Sequence, residues 1–298
     1  MCIIRIVLFS THMKRRKKMK KLTAFLLTLL LAFGLVACGG EDKKDDAGTE
    51  NVTDNTADNT ADNTADDTAD DTADTTVDVQ AKSEGVMTYA EYAAADLDTQ
   101  VVIEAFVQGK QAYYESQGTA TVYAQDADGA YFMYDMTCAA EDYDKLTVGT
   151  KIKVTGYKAE WSGEVEIVDA TFEIMEGTWV AEAKDVTSLL GTDDLINSQN
   201  QLVKFAGLTV APSTGADGSE VAWTYGWDAS GQEGDDLYFN VSINDQTYQF
   251  LVESYLCGSD SDVYKAVKEL KVGDTVDMEG FLYWYNGVNP HITSVTVK

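Results

Sequence analysis

Cysteines, paired carboxylates, one late histidine and clusters of aromatic rings are the side chains here whose type and spacing suggest chemistry. Glu164 and Glu166, and again Asp277 and Glu279, sit two apart in alternating runs, so each pair shares one strand face; alternation with apolar residues predicts solvated outer positions rather than a catalytic dyad. His291 is the one histidine after His12, which leaves nothing from which to build a Ser-His-Asp or paired-histidine site. No Gly-x-Ser-x-Gly elbow, Walker loop or zinc spacing occurs, and Asp128-Gly129 and Asp217-Gly218 read as turns rather than calcium loops. The chain is therefore expected to be no enzyme and to hold no cofactor and no metal.

The rings are the better lead. Tyr113 and Tyr114 close a first strand, Tyr123 and Tyr131 lie in a hairpin, and Trp161 follows a fourth strand. Trp223, Tyr225 and Trp227 fall in a long connection, and Tyr283, Trp284 and Tyr285 surround a later loop. Flat apolar faces beside Asp and Glu acceptors suit sugar rings, whose C–H faces stack while their hydroxyls donate. The competing reading of each ring is that it covers or fills a small core.

Charge narrows the partners. All 50 acids and 14 lysines follow residue 38, with no arginine among them; residues 81–298 alone hold 36 acids against 12 lysines. Phosphate clamps need Arg forks or rows of Lys, so no nucleic acid is expected as a partner.

The amino-terminal segment has a different character. Seven basic residues between Lys14 and Lys21 precede the uncharged run Leu22–Ala37, the n-region and h-region of a secretory signal, too short to span a bilayer comfortably. Its end, Leu35-Val36-Ala37-Cys38-Gly39, resembles the lipobox of bacterial lipoproteins, which implies a lipidated Cys38 as first mature residue. Two acyl chains suffice for stable membrane attachment on the extracytoplasmic face. Residues 1–12 precede that layout and read as an over-long start. From Glu41 to Gln80, Asp and Thr recur every fourth residue with Ala as almost the only apolar residue, a composition that cannot offset the entropy of ordering and reads as an extended acidic spacer. Anchor, acidic tether and folded domains together resemble surface lipoproteins of Gram-positive bacteria.

The elements that must position the rings come from an internal repeat. Leu146-Thr-Val-Gly149-Thr-Lys-Ile-Lys-Val-Thr-Gly156-Tyr157 matches Leu270-Lys-Val-Gly273-Asp-Thr-Val-Asp-Met-Glu-Gly280-Phe281 at a constant offset of 124. Before it, each half shows a strand (Val101–Gln108; Leu202–Ala211) and a hairpin (Thr121–Gln125 with Tyr131–Met136; Leu237–Ile243 with Thr247–Glu253). Each half then has a helical stretch, Ala140–Leu146 or one with an apolar face at Val263, Ala266, Val267 and Leu270, and Thr88-x-x-Glu91 reads as a capping box ahead of the first half. Strand, hairpin, helix, hairpin is the order of the OB-fold. The runs Val107–Tyr114 and Tyr123–Phe132 and the Leu-x-Val-Gly segment resemble OB-fold domains in lipoproteins of gut Clostridia, which implies a fold and an address but no activity. Cys138 and Cys257 precede the helices at equivalent places and are expected as buried thiols, an interdomain disulfide being the alternative.

The expected organisation is a signal peptide (1–37), lipidated Cys38 with its spacer (38–85), and tandem OB barrels (86–178 and 179–298) in an all-β chain with short helices. The expected function is recognition of an extracellular glycan or cell-wall component through Tyr113, Tyr114, Tyr123, Tyr131, Trp161, Trp223, Tyr225, Trp227, Tyr283, Trp284 and Tyr285. Docking of another envelope protein is the alternative, with nucleic acid last.

Overall fold

The computed structural model describes residues 80–298, which belong to a single unit of the chain, Thr72–Lys298. The signal segment, the lipobox with Cys38 and the spacer up to residue 79 lie outside the described residues.

The first barrel is β1 (Gln100–Lys110), β2 (Thr119–Gln125), β3 (Ala130–Thr137), β4 (Thr150–Trp161) and β5 (Glu164–Thr178), closed in the order β1-β2-β3-β5-β4. Alternation places Val101, Ile103, Ala105 and Val107 of β1 inside, with Val122, Met133, Ile152, Val154 and Ile167 from the other strands. Helix α1 (Tyr89–Ala94) leads into it, its N-cap Thr88 and Glu91 exchanging hydrogen bonds as the capping box requires (Thr88 N to Glu91 Oε2 2.8 Å, Glu91 N to Thr88 Oγ1 3.2 Å). A short helix α2 (Ala140–Tyr143) joins β3 to β4.

After the two-residue β6 (Lys184–Asp185), the second barrel is built from β7 (Leu202–Ala211), the short β8 (Ser213–Thr214), β9 (Glu220–Val221) and β10 (Trp223–Tyr225), then β11 (Leu237–Ile243), β12 (Gln246–Val252), β13 (Thr275–Phe281) and β14 (His291–Val297). Pairing of β11 with both β12 and β7 closes the ring β7-β11-β12-β14-β13. The hairpin β11–β12 turns at Asn244 and Asp245, both at positive φ (53° and 61°), the backbone a two-residue hairpin loop demands. Helix α3 (Asp262–Lys268) is capped by Ser261, whose Oγ accepts from Tyr264 N at 3.3 Å, and sets Val263, Tyr264 and Val267 against Phe205, Phe239 and Phe250 in the core. The fold is thus two tandem five-stranded OB barrels.

The repeated segment has a physical reason. Gly149 and Gly273 both sit at positive φ (89° and 96°), and each turns its N–H onto the first strand of its barrel: Gly149 to Val107 O at 2.8 Å, Gly273 to Val210 O at 2.9 Å. Gly156 and Gly280 lie where the fourth strand crosses the fifth; a Cβ on Gly156 would stand 2.6 Å from Ile167 Cγ2, and one on Gly280 only 2.2 Å from His291 O. A side chain at Gly280 must therefore push the paired backbone away, and Gly280→Ala should lower unfolding stability by about 1–3 kcal/mol, read from urea denaturation.

Candidate functional site

An OB barrel presents its ligand face on strands two and three, bordered by the loops after strands one and four. In the first barrel that face carries Tyr123, Phe132 and Tyr134, and the second barrel covers it. Tyr123 stacks on Phe281 (centroids 4.3 Å apart, planes 6° from parallel), and Phe132 meets Tyr283 edge-on at 5.4 Å. Leu202 and Leu256 complete the cluster. Gly109 makes room for the Phe281 ring, which a Cβ would meet at 2.7 Å. Tyr123 Oη and His291 Nδ1 lie 3.0 Å apart, and burial holds the imidazole down at about 3, so it is neutral and can accept the phenol proton.

Backbone and amide bonds ring this contact. Ala112 N donates to Tyr255 O (2.6 Å), Leu202 N to Gln125 Oε1 (2.9 Å), Asn200 Nδ2 to Val165 O (3.0 Å) and Asn286 N to Ser162 O (2.7 Å). Two carboxyl groups lie in the same joint. Glu164 of the first barrel is 0% exposed, and its Oε2 accepts from Trp284 N (2.8 Å) and Gln199 Nε2 (3.2 Å) of the chain that builds the second. Glu253 of the second barrel accepts from Gln111 Nε2 (3.1 Å) of the first. Burial pushes the Glu164 carboxyl well above its ordinary range, with Glu166 adding to it; burial and then Asp236 push Glu253 up to about 8. Glu164 Oε1 is buried with no hydrogen-bond partner. The solvated outer positions expected of Glu164 and Glu166 are corrected here: both are buried. Asp277 does stay at the surface, accepting from Gly207 N and pairing with Lys298.

The nominated rings do not assemble into one exposed surface. Tyr131 is buried in the first core, its hydroxyl on Asp126 (2.9 Å), and Tyr123 is sealed in the joint. Tyr113 donates to Cys138 O (3.1 Å) and lies against Tyr143; Tyr114 bridges to Thr119, and Trp161 ends β4, half-buried. Trp223 packs on the second core with its Nε1 on Lys268 O (3.1 Å), edge-on to Tyr225, while Tyr283 stacks on His291 and Trp284 packs inward. Trp227 (74% exposed) and Tyr285 (52%) are the nominated rings that face out. Cys138 and Cys257 are free thiols; burial pushes Cys257 up to about 11. Among the described residues no group of His, Cys, Asp or Glu could hold a metal ion, and no helix is long and apolar enough to cross a membrane.

The equivalent face of the second barrel is open toward the β11–β12 turn, with Leu251 at its other end buried, and it has a different chemistry. The outward residues of β11 are Tyr238, Asn240 and Ser242, paired in register with Leu251, Gln249 and Thr247 of β12. Neither strand contains a charged residue, in a folded region that averages one acid in every six positions. Gln249 and Thr247 are exposed, and Tyr285 lies near enough to Tyr238 to help raise its phenol above the usual range, after burial, Asp236 and Glu253. The long connection carrying Trp227 borders this face through β10, which pairs with β11. Sequence reasoning missed Asn240, Ser242, Thr247 and Gln249 because it sought rings; the absence of charge in both strands was the available signal.

No family model matches the chain, and no curated protein matches it. Similar solved structures are HIN domains. The Ifi202 HINa domain in complex with 20-bp dsDNA matches at 11% identity and a TM-score of 0.31, over 68% of this chain and 96% of that one. A murine DNA-binding protein bound with dsDNA matches at 13% identity and 0.31, over 66% and 97%, and p202 HIN1 with 12-mer dsDNA at 12% and 0.31, over 69% and 94%. The expectation of a glycan or wall ligand held by the aromatic loops is corrected by the geometry, since most of the nominated rings pack inward or into the joint. The expectation that nucleic acid is no partner stands against the dsDNA with which the three similar structures above are described.

The buried acids give stability a definite pH dependence. A carboxyl that is neutral in the fold up to about 8, against 4.5 ordinarily, stabilises the fold fully below pH 4.5; that contribution is lost as pH rises toward 8. Thermal stability should fall over this window, by up to about 1.4 kcal/mol per pH unit for one such group, and Glu253→Gln should flatten the fall measured in a pH series of melting curves.

Proposed function

We propose that the folded region is a non-catalytic binding module whose working face is β11–β12 of the second barrel, and that this face takes single-stranded nucleic acid through its bases. The observation that carries the reading is the charge-free strand pair, with the side-chain amide of Gln249, the Oδ1 of Asn240 (whose Nδ2 donates to Pro212 O at 3.0 Å), hydroxyls at Ser242 and Thr247, and phenols at Tyr238 and Tyr285. Bases are neutral, stack on rings at about 1–3 kcal/mol each, and match the paired donor and acceptor of an amide. A duplex hides those edges and offers phosphates instead. Among the twelve lysines of residues 81–298, Lys82 is engaged on Asp126, Lys151 on Glu104 and Lys158 on the carbonyls of Tyr92, Ala93 and Ala95 within the first barrel, and Lys268 on Glu233 at the surface.

This reading has an unusual consequence for salt. Binding that neutralises phosphates weakens steeply as salt rises; binding through bases against an acidic surface strengthens, because salt screens the repulsion. In fluorescence anisotropy with a labelled oligothymidine and the full chain, affinity should rise between low and moderate salt. Tyr285→Ala and Gln249→Ala should each weaken it by about 5-fold or more. No binding, or binding that weakens with salt and ignores both substitutions, would sink the reading.

For location, we propose that Cys38 holds the protein to the outer face of the membrane. The support is the Leu35–Cys38 boundary after a basic start and a short apolar run. Cys38→Ala should move the protein from the membrane fraction to the soluble one on cell fractionation; retention in the membrane would refute the anchor.

A further inference from the structure

The joint between the barrels is built in a way that makes it sensitive to protons. Each barrel offers one buried carboxyl to the other, and each is received by a neutral side-chain amide: Glu164 by Gln199, with Trp284 N, and Glu253 by Gln111. Gln199 also donates to Gly163 O at 2.8 Å, so the same amide fixes the turn that carries Glu164. We infer that this reciprocal carboxyl–amide pair is a latch, which parts when both acids give up their protons to water and separates two barrels that stay folded.

The surroundings of the two acids support it. Glu166 on the same strand, Tyr123 from β2 and Tyr92 from α1 are the titratable groups acting around Glu164. Asp236 before β11, Tyr238 of β11, Cys257 beyond β12 and Tyr123 across the joint surround Glu253. The groups in these sets are carboxyls, phenols and a thiol, none of them a cation, so a negative charge on either acid meets no ammonium partner there. His291, the basic group in the joint, is held neutral by burial and supplies no counter-charge. An ionised carboxylate buried without a cation is expensive, whereas parting the joint hydrates it. The hydrogen bonds that close each barrel are untouched by the separation, since both acids lie on outer faces, away from the two cores. What opening would bare is the aromatic face of the first barrel, at Tyr123, Phe132 and Tyr134.

Four backbone amides report the joint alone, because their acceptors lie across it: Ala112, Leu202, Trp284 and Asn286. Hydrogen exchange of the full chain, corrected for the intrinsic pH dependence of exchange, is followed from pH 6 to 9.5 beside far-UV circular dichroism. Protection of these amides should fall at least tenfold more than that of the core amides of β1 and β7, with the circular dichroism unchanged. Glu164→Gln with Glu253→Gln should keep the joint protected at pH 9.5. Joint amides that hold their protection, that lose it together with the core, or that lose it equally in the double variant would each overturn the latch; should the double variant not fold, the wild-type pH course decides by itself.

Discussion

Covering the outer aromatic face of one barrel with the other is the contact on which the rest of this structure depends. Tyr123, Phe132 and Phe281 are large rings removed almost wholly from water, each contributing on the order of 1.5–3 kcal/mol by burial. That gain compels the polar groups caught at the margin to find partners within the joint. Gln199, Gln111, Asn200 and Gln125 supply them as neutral amides, and Glu164 accepts from Gln199 Nε2 and Trp284 N. A dry joint also keeps His291 neutral, which lets it take the hydroxyl of Tyr123 instead of competing for a carboxylate.

The same contact sorts the two faces into different jobs. The two barrels share the same turn glycines, the same strand order and the same close crossing at Gly156 and Gly280. Their outer strand faces differ: one is aromatic and sealed, the other carries amides and hydroxyls and is partly exposed. An OB face can be either a joint or a site, since a ring that is buried against a neighbouring barrel cannot stack on a ligand.

Electrostatics follow from where the few lysines are spent. Lys82, Lys151 and Lys158 tie the leading segment and α1 to the first barrel, and Lys268 pairs with Glu233 beside Tyr225. The remaining eight of the twelve lysines in residues 81–298 stand against 36 acids. The charge-free β11–β12 pair is therefore a gap in a negative field.

Local sequence determined much of this protein. The hairpin at Asn244-Asp245, the cap at Thr88 and Glu91, the helix face of Val263 and Val267, and the repeat with its glycines were all legible, because turn geometry, capping and alternation are decided by neighbours in the chain. Alternation also placed Glu164 and Glu166 on the outer face of their strand, opposite the core residues Val165 and Ile167. It could not show that another barrel waits there. Period two distinguishes inside from outside for one sheet, and the covering of an outside face depends on contacts between residues more than a hundred positions apart, such as Tyr123 with Phe281. Only the tertiary structure decided which rings were sealed in the joint and which face out, and which acids were buried, because burial belongs to the assembled surface rather than to any segment of the sequence.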